Sequence, residues 1–206
     1  MKKYVIEFIG TFFLVLTCAL TGDSMSVACM LIALIYMGYG ISGAHYNPAT
    51  TLSIWLLRKI SNRDALIYVL LQMLAAVAAS VCFKFLWGDL RRFVPSPNLD
   101  INPLKPLFVE TASTFIMMMV ILTVAASRKT AGNSYYGLAI GFVVLALAYG
   151  SREISGAAFN PAVGVGPLIA DALRGGNNLG HAWLYVVGPL GGSALATFLF
   201  GWLDKE

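Results

Sequence analysis

The chain has 206 residues and a net charge of +4, with 58% of its residues hydrophobic and only 12% charged. A soluble domain is about half apolar and about a quarter charged, so these charges are too few to cover a surface in water. Lipid must be part of the solvent, and the basic residues, which stand mostly between apolar runs, read as membrane topology rather than as a nucleic-acid platform.

The chain opens on Met1-Lys2-Lys3 and a first apolar run over 4–22. This imitates a signal peptide, but the run is long enough to span, carries Glu7 and shares a pattern with a later segment. A spanning helix needs about 20 mostly apolar residues; further runs of that kind cover 25–41, 65–86, 107–126, 135–152 and 182–203. Two shorter segments, 48–57 and 161–173, do not fit. A helix of about ten residues rises about 15 Å, half of a hydrocarbon core of about 30 Å. Each opens with Asn-Pro, a cap followed by a first-turn proline, so both read as half-helices entering the membrane from its edges. The linker 87–106 holds four of the eight prolines, Pro95, Pro97, Pro103 and Pro106, and reads as the joint between two halves. Residues 128–134 form a second, polar linker.

The halves repeat each other. Glu7-Phe-Ile-Gly-Thr11-Phe12 matches Glu110-Thr-Ala-Ser-Thr114-Phe115, and Ser42-Gly-Ala-His-Tyr-Asn47-Pro48-Ala49 matches Ser155-Gly-Ala-Ala-Phe-Asn160-Pro161-Ala162. Tyr68-Val69 in the third span is echoed by Tyr185-Val186 in the sixth, which sets Gln72 opposite Pro189; Gln72 reads as a packing or loop contact. The expected fold is one all-α membrane domain over 1–206, with six transmembrane helices and two re-entrant half-helices. The first repeat covers 1–86 and the second 107–203. Three spans per half is odd, so the halves are expected to be inverted, with the broken helices meeting near the midplane. A cytoplasmic N-terminus would put Lys2, Lys3, Arg58, Lys59, Arg63, Arg128, Lys129 and Lys205 inside, against Lys84, Arg91, Arg92, Lys105, Arg152 and Arg174 outside, a weak bias of the positive-inside sign.

The paired S-G-A-x-aromatic-N-P-A motifs, each preceded by E-x-x-x-T-F, resemble the major intrinsic protein family, the aquaporins and aquaglyceroporins, over essentially the whole chain. The resemblance implies a passive channel for water and small uncharged solutes: glycerol-like polyols, urea, or neutral metalloids such as arsenous acid. It implies a homotetramer in a cell membrane. Compact loops point to a prokaryotic inner membrane. In such a channel the two half-helices meet at N-termini that each carry about half a positive charge, a barrier to cations. Asn47 and Asn160 cap those ends and can turn amide donors to the solute. Carbonyls of Gly43, Ala44 and His45, and of Gly156, Ala157 and Ala158, would line the pore. Glu7 and Glu110 would brace the loops that carry them.

In the family four positions form a constriction; counting from the two asparagines, they fall on Val27, Ala148, Ala157 and Val163. Typical members carry an aromatic at the first and arginine at the last. Here the second motif reads Asn160-Pro161-Ala162-Val163, so the expected constriction is wide, apolar and uncharged. Arg152 and Arg174 flank it and read as solvated helix-end residues, with replacement of the missing charge as the alternative. Intramembrane acids suggest function by default, so a proton-coupled transporter using Glu7 or Glu110 is a competing reading, and a non-conducting structural member of the fold is a third. No nucleophile–base pair, metal cluster or phosphate loop is evident, so no enzyme, cofactor or metal is expected. Cys18, Cys29 and Cys82 lack CxxC spacing and read as small buried hydrophobes. Gly188, Gly191 and Gly192 in the sixth span, and Ala75, Ala76, Ala78 and Ala79 in the third, would permit close helix packing, between subunits or within one.

Overall fold

The computed structural model describes residues 1–88, 95, 97 and 102–204. Most of the 87–106 linker therefore lies outside the described residues, as do Arg91, Arg92 and Lys205 of the topology comparison. Among the described residues there is no strand, and eight α-helices carry the fold: α1 (Lys2–Thr21), α2 (Ser24–Ser42), α3 (Pro48–Leu56), α4 (Asn62–Trp87), α5 (Leu104–Ile121), α6 (Tyr136–Ser155), α7 (Pro161–Ala172) and α8 (Ala182–Leu203). Six helical segments are long and apolar enough to cross a membrane. The remaining two, α3 and α7, are the short ones that the Asn-Pro openings predict.

Local chemistry sets the boundaries. Asp23 caps α2 by accepting from the Ser26 N–H, and Ser61 caps α4 by accepting from the Asp64 N–H. Helices α2 and α6 stop at Gly43 and Gly156, both at φ 87°, a left-handed turn that costs glycine nothing. Several ends differ from expectation: α4 starts at Asn62 rather than at 65, and α5 at Leu104 rather than at 107. Helix α6 runs on to Ser155, so Arg152 lies inside its last turn rather than at its final residue. Helix α5 closes in a π-helical turn, Leu122–Ala126. As at any helix end, the last four carbonyls lack helical partners, and each takes a side-chain donor: Thr123 from Thr130, Val124 from Asn133, Ala125 from Tyr39 and Ala126 from Lys59.

The packing exchanges elements between the first four helices and the last four. Helix α1 packs on α2 and α4, and α5 packs on α6 and α8, while α3 lies against α8 and α7 against α4. Small residues make these approaches possible. A Cβ on Gly192 would stand 2.2 Å from the Thr111 carbonyl oxygen of α5, and one on Gly166 would stand 2.4 Å from the Ala76 Cβ. Gly188 and Gly192, with Ala75, Ala76 and Ala79, are thus used inside the subunit; Gly191 meets nothing within 4 Å, and Ala78 is half-buried. Serine fixes α3 in place: Ser193 of α8 donates to the Ala49 carbonyl at 2.6 Å and pairs with the Ser53 hydroxyl at 2.7 Å. Large apolar side chains such as Phe85, Phe108 and Phe198 point outward, as lipid requires. The cysteines are not buried as expected: Cys29 is exposed, and Cys18 and Cys82 are half-buried, because all three sit on outward or cavity-facing helix surfaces.

Candidate functional site

The site begins where the two half-helices meet. Asn47 and Asn160 have extended backbones and lie just before Pro48 and Pro161. Their Oδ1 atoms accept from the Ala49 and Ala162 N–H groups at 2.8 and 2.9 Å, which caps α3 and α7. Their Nδ2 atoms cross over. Asn47 donates to the Phe159 carbonyl at 3.1 Å, and Asn160 donates to the Tyr46 carbonyl at 2.9 Å. An amide nitrogen carries two protons, so each asparagine keeps one for whatever occupies the cavity both line. Pro48, Ala49, Pro161 and Ala162 are buried behind them and do not line that cavity.

The segments before the asparagines are not helical. Ala44 and Tyr46 have φ of 50° and 48°; Ala157 and Phe159 have 56° and 48°. Such values cost energy for residues with a Cβ and persist only where neighbours enforce them. The enforcers are two fully buried acids. The Glu7 carboxylate accepts from the His45 N–H (2.9 Å), the Tyr46 N–H (2.8 Å), the Ser42 hydroxyl (2.7 Å) and the Gln72 amide (2.8 Å). The Glu110 carboxylate accepts from the Ala158 N–H (3.0 Å), the Phe159 N–H (2.8 Å) and the Ser155 hydroxyl (2.7 Å). The Ala44 and Ala157 N–H groups donate to the Ser42 and Ser155 hydroxyls. In a trans peptide unit the C=O points opposite the N–H. With the N–H groups of residues 44–46 and 157–159 turned into this scaffold, the carbonyls of Gly43, Ala44 and His45, and of Gly156, Ala157 and Ala158, face the other way, and all six residues line the cavity. Tyr68 and Tyr185 complete the frame by donating to the Ser42 and Ser155 carbonyls. Tyr46 lies under it, in a space that exists because a Cβ on Gly10 would stand 2.1 Å from its ring.

One cavity has a volume of about 890 Å³. It is lined at one end by Lys3 and at the other by Gly22, the two ends of α1, a helix of 20 residues and so about 30 Å long. Val27, Ala148, Ala157 and Val163 all line it and pack into one apolar cluster. His45 lines it too; its Nδ1 stands 3.1 Å from the Thr51 hydroxyl and its ring is edge-on to Tyr68. At the Lys3 end, Lys3 pairs with Asp64 at 2.7 Å, and Lys59 reaches across to the Ala126 carbonyl. At the Gly22 end, Arg152 donates to the Gly22 carbonyl. Arg174 is not among the lining residues.

From the sequence Gln72 reads only as a packing or loop contact. It bridges Glu7 and Thr51, a role open to it because glutamine is both donor and acceptor. Pro189 offers Glu110 no such partner. Lys59 and the π-turn carbonyl it meets carried no sequence signal beyond a basic residue after a half-helix.

Residues 18–200 match the family model of the major intrinsic proteins. The chain is 33% identical to a glycerol uptake facilitator protein-like protein of Lactiplantibacillus plantarum, over 96% of each chain, and 30% identical to the aquaporin AqpM of Methanothermobacter thermautotrophicus, over 100% of this chain and 98% of that one. Its fold superposes on the X-ray structure of the aquaglyceroporin from Plasmodium falciparum with a TM-score of 0.86 at 21% identity, covering 97% and 94% of the two chains. A cavity as long as its spanning helices, framed by two capped half-helices, accords with that kinship: the chain belongs to the major intrinsic protein family and is a multi-pass membrane channel for water and small solutes, not an enzyme.

Proposed function

We propose that the cavity from Lys3 to Gly22 is the conduction path, that Asn47 and Asn160 are its midplane donors, and that Val27, Ala148, Ala157 and Val163 are its constriction. The observation that carries this reading is that one cavity is lined by both asparagines and by residues at both ends of α1. A ring of two valines and two alanines brings no charge and little bulk, so the path suits solutes larger than water: glycerol-like polyols, urea and neutral metalloids such as arsenous acid. Apolar walls pair poorly with hydroxyls, and the six carbonyls with the two amide donors supply the hydrogen bonds instead. Modest binding of this kind is what conduction needs. The two half-helix N-termini set a positive end against cations at the midplane.

Passive rather than proton-coupled flow is supported by the partners of Glu7 and Glu110. Among the described residues every hydrogen-bond partner is a donor, and neither acid lines the cavity. The halves 1–86 and 107–203 are read as inverted repeats, supported by the matching bonds to the two acids. The assembly is read as a homotetramer with one path per subunit, in a prokaryotic inner membrane with cytoplasmic termini, on the family resemblance and the positive-inside bias. Stopped-flow swelling of proteoliposomes with water, glycerol, urea and arsenous acid tests the function: solute flux that follows the gradient and ignores a pH gradient is expected. Flux driven by the pH gradient would favour a coupled transporter, and no flux of any solute would favour a structural role.

A further inference from the structure

We propose that Arg152 is a specificity-determining residue, a planar donor fork that restricts solute size at the Gly22 end of the path, one turn beyond the apolar ring. The inference rests on the reading of the cavity as the conduction path. Ile140, Val144, Ala148 and Arg152 all line the cavity. Their spacing of four residues puts them on one helix face, so Arg152 continues the cavity-lining stripe about 6 Å past Ala148. Its guanidinium donates to the carbonyl of Gly22, the residue that ends α1. A Cβ on Gly22 would lie 3.4 Å from Nη2. The side chain thereby reaches from the last turn of α6 to the α1–α2 turn, along the rim.

Charge alone does not explain what it does there. Asp23 and Glu153 line the same mouth, so the summed charge of the three is not positive. Neither acid pairs with Arg152: among the described residues the ion pair within 4.0 Å is Lys3 with Asp64. The Asp23 carboxylate is engaged by Ser26, at 2.8 Å from its N–H and 2.7 Å from its hydroxyl. A guanidinium holds five N–H donors in a fixed plane. With one on Gly22 and no other side-chain hydrogen bond from Arg152 among the described residues, the remaining donors are open to a solute before it meets a ring that has no side-chain donor. The fork adds bulk and hydrogen bonding where Val163 supplies neither.

The test compares wild type with Arg152→Ala and Arg152→Lys at matched reconstitution, using water, glycerol and the five-carbon polyol xylitol. Arg152→Ala is expected to raise xylitol flux about tenfold, a barrier lower by about 1.36 kcal/mol, while water flux changes far less. Arg152→Lys keeps the charge without the plane and is expected to follow Arg152→Ala. Unchanged xylitol flux in Arg152→Ala, with a conducting wild type, overturns the assignment. Wild-type xylitol flux in Arg152→Lys alone shows that charge sets the restriction and overturns the role of the fork. A wild type that passes neither water nor glycerol overturns the conduction reading itself, which is a different result.

Discussion

The side-chain amide of Asn160 donates to the Tyr46 carbonyl at 2.9 Å, across 114 residues of sequence. The same side chain caps its own half-helix through the Ala162 N–H. One residue thus ties the two half-helix ends together and still has a proton for the path.

The two roles separate by substitution. Asp caps as well as Asn, but it has no amide to give Tyr46 and brings a negative charge to two helix N-termini. Asn160→Asp is expected to keep its fold, lose neutral-solute flux and leak cations. Asn160→Leu loses the cap as well, worth about 1 kcal/mol, and should also melt earlier. Full flux in well-folded Asn160→Leu, measured by stopped flow, would show that this amide does not face the path.

Glu110→Ala strands the Ser155 hydroxyl and the N–H groups of Ala158 and Phe159 in a buried site, at about 1–3 kcal/mol for each unpaired donor. We expect a large fall in melting temperature and aggregation in mild detergent. Gln72→Leu removes one of four donors to Glu7 and strands no other partner of that carboxylate, so a smaller fall is expected. A stable Glu110→Ala protein with normal flux would remove the bracing role.

Asp23 lies in the α1–α2 turn, where the Ser26 hydroxyl and then the Ser26 N–H hold its carboxyl below the usual carboxylate range. A lowered folded value means that the group stabilises the fold above the unfolded pKa, about 3.9, and ceases to do so as pH falls through the lower folded value. Asp23→Ala should therefore melt earlier than wild type at neutral pH, and the gap should narrow as pH drops below about 4. A gap independent of pH would mean that the cap acts without its charge.

Much of this was legible in the sequence, because helix length, capping and small-residue spacing are local. The Asn-Pro openings gave both half-helices, and the E-x-x-x-T-F pair singled out Glu7 and Glu110. What stayed hidden is long-range. Nothing around Asn47 indicates that its amide will find Phe159, since that contact depends on how α3 and α7 meet. Arg152 is exposed in the last turn of α6, as a solvated helix end should be, and the length of α6 decides that it also lines the cavity, of which the hydropathy pattern gave no sign. The glycines and alanines expected to permit close packing are spent largely on α5–α8 and α4–α7 contacts.

That expenditure bears on assembly. With Gly188 and Gly192 engaged by α5, a tetramer must form through other lipid-facing surfaces. Chemical cross-linking in mild detergent and in lipid is expected to reach four subunits. Cross-linking that stops at the monomer in both would refute the tetramer.

On the proposed function, Val163 stands in a wide, apolar constriction. Val163→Arg would put a bulky charged fork into that ring. Paired stopped-flow measurements of water and glycerol, on wild type and Val163→Arg at matched reconstitution, test it most directly. The expected result is a loss of glycerol flux much larger than the loss of water flux. Equal glycerol rates in the two proteins would mean that Val163 does not line the constriction.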